Sequence, residues 1–288
     1  MGKNPKIAFF GTPYVARDTL ETLVARDFVP AVVISSPDTP KGRGLALMPS
    51  ETKEWALAHG MTVLTPEKLD AEAITQIRSY ECAFAIVVAY GKIFPQALIN
   101  AFPMGVLNIH YSLLPRYRGA SPVESALLNG DAVTGVSIQK MTAELDAGDI
   151  LAQKEVPIGA EETTRDLRPR LITIGANLLA DILPSFIAGT ASFTPQDRRN
   201  ATLARKIDKK DGLLDLSDDA LKNWNTYRAY AESPGTYFFT EKNGKKIRVK
   251  IVGAHYVKNP GSCQFTPTRV IPEGKREMEY ASFLRGAF

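Results

Sequence analysis

Cysteine and histidine are both scarce in this 288-residue chain: it has two cysteines, Cys82 and Cys263, and three histidines, His59, His110 and His255. Neither cysteine lies in a C-x-x-C pair. A disulfide scaffold and a structural zinc site are therefore not expected, and a reducing compartment fits. His59 and His255 have no metal-ligand partners nearby in sequence, and no metal is expected. No apolar run approaches the roughly 18 to 20 residues needed to cross a bilayer, so no membrane partner is expected. The opening MGKNPKIAFFGTP passes from a basic start straight into a strand-like segment, without a secretory cleavage site. No G-x-G-x-x-G is present, which argues against a nicotinamide cofactor. What remains is the expectation of a soluble cytoplasmic protein of ordinary globular composition, 44% hydrophobic and 23% charged, long enough for two domains.

Charge is unevenly spread. Residues 1–197 carry 17 Lys and Arg against 21 Asp and Glu, a net of −4; residues 198–288 carry 18 against 10, a net of +8. Solubility is the plain explanation of such a surface. The functional one is a polyanionic partner, with nucleic acid foremost.

The first two thirds alternate between strand and helix patterns. Residues 6–10, 29–35, 61–64, 84–89 (FAIVVA), 105–110 and 134–139 read as strands. Residues 51–59, 70–79 and 121–129 read as helices, as does a stretch after GTP with Val15, Leu20, Leu23 and Val24 on its apolar side. Leu167, Leu171, Ile174, Leu178 and Ile182 mark a packing helix over 163–188. Residues 36–50, SPDTPKGRGLALMPS, read as a long loop, of the kind that is usually functional, with Lys41 and Arg43 as substrate contacts. This alternation predicts an α/β fold, a Rossmann-like and mostly parallel sheet with helices on both faces, which binds ligands at the carboxyl ends of its strands. After a polar linker the pattern changes. Segments 235–240, 246–252 and 254–257, with Asn243-Gly244 as a hairpin turn, predict a small OB-like β-barrel of five strands. The expected division is a catalytic domain at 1–193, a linker at 194–207 and a basic domain at 208–288.

The polar residues of VLNIHYSLLPRYRGASP, 106–122, stand out against this frame. Asn108 and His110 flank Ile109 at the end of a buried strand, so their side chains share a face at the binding edge. His110 changes charge near neutral pH and can act as a base. Asn108 can donate an amide N–H to a developing oxyanion. A base also needs an orienting group, and AELDAGDIL offers Asp146 or Asp149. Tyr90 and Gly91 follow the FAIVVA strand and belong at the same edge.

NIHYSLLPRYRG together with LDAGDIL resembles the folate-dependent formyltransferase family, and the likeness runs over nearly the whole chain. FFGTPYVARDTL, PDTPKGRGLALMPS, RGASPVESALLNGD and GKREMEYASFLRG resemble the branch whose acceptor is methionyl-tRNA. The resemblance implies that Asn108, His110 and Asp146 are catalytic, and that Ser112, Leu113, Leu114 and Pro115 belong to the folate site, with Tyr90 and Gly91. It implies 10-formyltetrahydrofolate as formyl donor, no metal, initiator methionyl-tRNA as partner and a role in translation initiation. Lys41, Arg43, Lys206, Lys209, Lys246 and Arg248 are then the expected tRNA contacts, in a chain expected to be a monomer. A sugar-nucleotide N-formyltransferase is the alternative, sharing the catalytic domain without need of a basic one. Three departures from the branch stand out: Tyr111 in place of a small residue, LLDLSDD without the usual Trp, and Ala231-Glu232-Ser233-Pro234 in place of Asn-Pro-Trp-Pro. The last two bear on acceptor contacts more than on chemistry.

Overall fold

The computed structural model describes residues 5–41, 45–242, 244–259 and 262–286. Arg43 and Asn243 lie outside them, and the side chain of Lys41 is likewise not described. The chain forms two compact units. One takes Met1–Arg118, Gly135–Val156 and Pro169–Leu203; the other takes Gly119–Thr134, Pro157–Arg168 and Ala204–Phe288.

In chain order the elements up to the first sheet's far edge are β1 (Ile7–Gly11), α1 (Tyr14–Ala25), β2 (Val32–Ile34), β3 (Thr39–Lys41), β4 (Ala46–Met48), α2 (Glu51–Ala58), β5 (Val63–Leu64), α3 (Ala71–Arg78), β6 (Phe84–Val88), α4 (Gln96–Ile99), β7 (Val106–His110), β8 (Arg118–Gly119), α5 (Pro122–Leu128), β9 (Val133–Lys140) and β10 (Ile150–Pro157). The first unit is built on a seven-stranded sheet in the order β10-β9-β7-β6-β1-β2-β5. β1 runs parallel to β2 and β6, β2 to β5, and β6 to β7, while β7 and β9 are antiparallel. The mostly parallel, helix-covered sheet is the one the alternating pattern predicts. Every residue of β1 and β6 is buried, as strands covered on both faces must be. Phe10 anchors one side of the core, meeting Tyr90, Phe94 and Phe102 edge-on with centroids at 5.4, 4.9 and 6.2 Å.

Helix α6 (Thr164–Ile187) is long and apolar enough, by length and composition, to cross a bilayer, contrary to the expectation that no segment is. It is also a core helix, with Leu171, Leu179 and Leu183 fully buried. A Cβ on its Gly175 would lie 3.0 to 3.5 Å from Val136, Ile109 and Tyr111. The glycine therefore lets the helix approach the backs of β7 and β9 closely, and a bulkier residue would force them apart.

The expected loop at 36–50 is in part a hairpin. Thr39 pairs with Met48 and Pro40 with Leu47. Its prolines and glycines concealed the strands, because an isolated ribbon tolerates a residue without an N–H. Leu45, Leu47 and Met48 are exposed on it.

The second unit holds α7 (Ala220–Ala229), β12 (Thr236–Lys242), β13 (Lys245–Asn259), β14 (Ser262–Pro272), β15 (Met278–Glu279) and α8 (Tyr280–Leu284), with the two-residue β11 (Leu203–Ala204) at its entrance. β12, β13, β14 and β15 form an antiparallel sheet in that order, four strands among the described residues, consistent with a small barrel. The two strands expected at 246–257 are one, interrupted by register shifts around Gly253. A core of Leu214, Trp224, Phe238, Val249, Ile251, Phe265, Val270 and Phe283 closes the unit, and α5 packs against α7.

Candidate active site

Strand β7 ends at the sheet's carboxyl edge, where its neighbour β6 also ends. Asn108 stands opposite Val87 on β6 and opposite Gln139 on β9; His110 stands opposite Ser137. Ile109 and Tyr111 point the other way, toward Gly175. Tyr111, which replaces a small residue, thus fills space under the helix and lies on the face away from Asn108 and His110.

His110 is 5% exposed, and its two ring nitrogens face different oxygens. Nε2 lies 2.8 Å from the carbonyl oxygen of Tyr117. A carbonyl only accepts, so Nε2 carries the hydrogen, and Nδ1 is the basic nitrogen of the neutral ring. Nδ1 faces Asp146 Oδ2 at 3.6 Å, an ion-pair separation too long for a hydrogen bond. Burial pushes the His110 pKa below the usual imidazole value; Asp146 and the Tyr117 carbonyl pull upward but do not overcome it. The carboxylate favours the imidazolium, while burial, the larger effect, favours the neutral ring.

Asp146 has φ 47°, in the left-handed region that costs a non-glycine residue roughly 1 kcal/mol or more. Two bonds hold that turn: Gln196 Nε2 donates to the carbonyls of Asp146 (2.9 Å) and Gly148 (2.7 Å). Gln196 is held in turn by the buried guanidinium of Arg118, at 2.8 and 3.1 Å. A Cβ on Gly148 would overlap the carbonyl oxygen of Lys140, so only glycine lets the turn fold back on β9. Asp149, the competing acid, has an exposed side chain and accepts from Lys140 N–H only through its backbone, at 2.9 Å.

The Ser112–Pro115 segment is fixed by polar bonds from the same sheet face. Ser137 Oγ donates to Ser112 O (2.6 Å) and accepts from Leu114 N–H (3.1 Å). Gln153 Nε2 donates to Leu114 O at 2.9 Å and to Ser137 Oγ at 2.8 Å. Ser112 and Leu114 are buried, and Ser112 Oγ donates to Arg116 O at 2.6 Å. Leu113 and Pro115 instead line a cavity of about 520 Å³ with Arg116, Arg199, Asn200, Ala201 and Thr202. Tyr90 is buried, and its hydroxyl has no hydrogen-bond partner among the described residues; burial pushes its pKa up to about 12. Gly91 beside it is exposed, with φ 77°. Sequence reasoning missed Ser137, Gln139, Gln153, Gln196 and Arg118. The first two occupy alternate positions on β9, which was the available signal.

The cations proposed from sequence fall out differently. Lys41 lies on β3, and Arg43 is outside the described residues. In the second unit Lys206 and Lys209 are exposed. Lys246, Arg248 and Lys250 form one exposed row on β13, alternating with Ile247, Val249 and Ile251, of which the last two are buried. Lys246 Nζ sits 4.3 Å from the Phe239 ring centroid and Arg248 Cζ 3.8 Å from that of Tyr237. Arg205, by contrast, is committed to Asp211 through two bonds of 2.7 and 2.8 Å. Among the described residues no cluster of His, Cys, Asp and Glu is placed to hold a metal.

A Rossmann-like sheet carrying a histidine, a carboxylate and an amide at its carboxyl edge, followed by an antiparallel sheet domain, defines the class. The chain belongs to the formyl transferase family: residues 5–183 match the Formyl transferase domain and residues 206–270 the Formyl transferase C-terminal domain. It is 43% identical to the methionyl-tRNA formyltransferase of Nitratidesulfovibrio vulgaris over 249 residues, 85% of this chain and 76% of that protein. It is 36% identical to that of Methylobacterium sp. over 98% of this chain and 96% of that one. In fold it resembles an N-formyltransferase from Helicobacter canadensis, solved with folinic acid and dTDP-3-aminofucose (TM-score 0.67, 18% identity, 90% of each chain). It also resembles glycinamide ribonucleotide transformylase 1 of Symbiobacterium toebii (TM-score 0.57, 21% identity, 68% of this chain and 96% of that one).

Proposed function

We propose that this protein transfers the formyl group of 10-formyltetrahydrofolate to the α-amino group of methionyl-tRNA, supplying formylmethionyl-tRNA for translation initiation in the cytoplasm. The observation that carries the chemistry is the convergence of Asn108, His110 and Asp146 at one sheet edge, with the Asp146 carboxylate 3.6 Å from His110 Nδ1. The acceptor follows from the relatives, named as acting on methionyl-tRNA, one of which aligns with 98% of this chain.

The amine nitrogen attacks the formyl carbon, and the carbonyl π pair moves onto oxygen. The Asn108 amide N–H stabilises that oxyanion. His110 Nδ1 takes the amine proton directly or through a water. The resulting imidazolium lies between two acceptors, Tyr117 O and Asp146, which stabilise it. As the tetrahedral carbon collapses, the bond to folate N10 breaks, and the proton passes to that nitrogen. The 3.6 Å gap tightens when substrate fills the site, as catalytic hydrogen bonds commonly do. Ser112 to Pro115, with Tyr90 and Gly91 at the neighbouring strand end, receive the folate. Lys41 and Arg43 of the 36–50 segment, and Lys206, Lys209, Lys246 and Arg248, meet tRNA phosphates. The protein works as a monomer without a metal.

Solved sugar formyltransferases share the fold over 90% of this chain, so possession of a second domain does not by itself select the acceptor. Its basic charge does. The test offers labelled 10-formyltetrahydrofolate with methionyl-tRNA or with an amino-sugar nucleotide, and follows free tetrahydrofolate without acceptor. Label on methionyl-tRNA supports the reading. Label on the sugar alone, or folate release independent of acceptor, overturns it.

A further inference from the structure

Gln139 is the residue that the catalytic reading leaves unexplained. It lies on β9 directly across from Asn108 and is 1% exposed. Its Nε2 donates to Asp146 Oδ1 at 2.7 Å. The other oxygen, Oδ2, is the one facing His110 Nδ1. A carboxylate cannot donate, so the amide's orientation is fixed: Nε2 must face Asp146, and Oε1 is the end left over. That Oε1 is buried, with no hydrogen-bond partner among the described residues. A buried acceptor without a donor costs about 1–3 kcal/mol, which a methionine or leucine of similar volume would avoid. Packing alone therefore disfavours glutamine here. The compensation is what Nε2 does.

We propose that Gln139 is a positioning residue for the His110–Asp146 pair, an inference that rests on the formyl-transfer reading. Its N–H pins one carboxylate oxygen, so that the second is presented to Nδ1. By taking up part of the negative charge it also limits how far Asp146 raises the basicity of His110. The turn holding Asp146 is strained, and Gln196 secures its backbone; Gln139 bonds the side chain directly. Other charged groups also lie around His110. Arg118 is bonded to Gln196 and to Glu144, Glu144 also pairs with Arg198, and Lys140 lies over the Phe193 ring. Asp149 is exposed, as is Arg116, which bonds the Tyr117 hydroxyl.

The chain has only three histidines, so their ring carbon resonances can be followed by NMR across a pH series in the full-length protein, with His59 and His255 as internal controls. Gln139→Met removes the donor at nearly constant volume. Its His110 midpoint should rise by about half a unit or more, because the freed carboxylate charge turns to the ring. Gln139→Leu removes the same donor and should raise it by a similar amount. In Gln139→Met the turnover number should fall about 10-fold, the loss of one bond to a charged group. KM for the formyl donor should stay within about 2-fold, and Tm within about 3 °C. A His110 midpoint that is unmoved or lowered in folded Gln139→Met overturns the proposal. If that variant does not fold, Gln139→Leu decides by the same rule. If the wild-type chain formylates no acceptor, the activity reading fails while the histidine titration still decides the role of Gln139.

Discussion

The sheet edge around His110 and the outer face of β13 both carry the polar groups of this protein, and they hold them in opposite ways. At the sheet edge His110 and Ser137 are nearly dry, and Gln139 is 1% exposed. Each is fixed by bonds of 2.6 to 2.8 Å to a carbonyl or carboxylate oxygen. On β13 the cations Lys246, Arg248 and Lys250 are open to solvent, and the first two lie on aromatic rings. The contrast teaches what each region can do. A buried polar group acts through geometry and altered basicity, and its loss is large and insensitive to salt. An exposed cation acts through counterion release, and its loss is modest, additive and strongly salt-dependent. The catalytic edge should therefore be read in turnover and pH profile, the cation row in affinity and salt slope.

The largest effects belong to the dry edge. His110→Ala and Asn108→Ala should each lower turnover by roughly 100-fold or more, in steady-state formylation assays at both 50 and 300 mM salt. Near-normal turnover in His110→Ala would remove the base from the mechanism. A loss that grows with salt would erase the contrast with β13.

Asp146→Asn is next. The enzyme should fold and bind folate, with turnover lowered by about 10-fold or more, while Asp149→Asn should be milder, since its side chain is exposed. The pH dependence has a definite sign. Burial holds His110 below the ordinary imidazole value, and Asp146 opposes that shift. The acid limb of kcat/KM should therefore lie below about 6.5 in the wild type. In Asp146→Asn it should move lower still, because the carboxylate that favours the charged ring is gone. An upward shift in the asparagine variant would mean that another group sets the limb.

How much of this was legible follows the same dry and wet division. FAIVVA announces a strand buried on both faces because its run is continuously apolar, and in VLNIH the period of two puts Asn108 and His110 on one face. Helix α7 was missed because its buried side carries Asn223, Asn225 and Arg228, which hide the helical period. Those residues are satisfied only in three dimensions: Asn223 Nδ2 donates to Asp215 O, and Arg228 to Asn225 Oδ1, both at 2.7 Å. The 15-residue β13 was read as two strands because the register shift at Gly253 looks like a turn in one dimension. Arg118 meets Gln196 across 78 positions and Gln196 meets Asp146 across 50, separations at which no spacing rule operates. Alternation exposed the cation row, and nothing in the sequence showed that Arg205 is spent on Asp211.

The row on β13 supplies the smaller predictions. Removing the domain by truncation near residue 206 would not isolate its contribution, because residues 119–134 and 157–168 belong to the same compact unit, and α5 would lose its packing against α7. Substitution is the cleaner break. Lys246→Ser, Arg248→Ser and Lys250→Ser together should weaken methionyl-tRNA binding about 10-fold or more near physiological salt. They should lower the log–log salt slope by about two to three.

The smallest effect separates the two tiers within the row itself. Arg248 lies closer to its ring than Lys246 does, 3.8 against 4.3 Å. An arginine stacked on tyrosine keeps its donors in a fixed plane, whereas a lysine ammonium remains a mobile point charge. Tyr237 is itself 8% exposed, and Phe239 is 40% exposed. Phe239→Ala should therefore release Lys246 without removing its charge, and should cost about 0.5–1 kcal/mol of tRNA affinity, the scale of one exposed cation–π contact. The salt slope should hardly change, because the number of cations is the same. Arg248→Gln should instead lower the slope by about one and weaken binding by several-fold. The measurement is fluorescence anisotropy with labelled methionyl-tRNA across a salt series. If Phe239→Ala alters the slope as much as Arg248→Gln, then the ring itself contacts the nucleic acid. The outer face of β13 would then act through stacking as well as charge, and the two regions would differ less than their burial suggests.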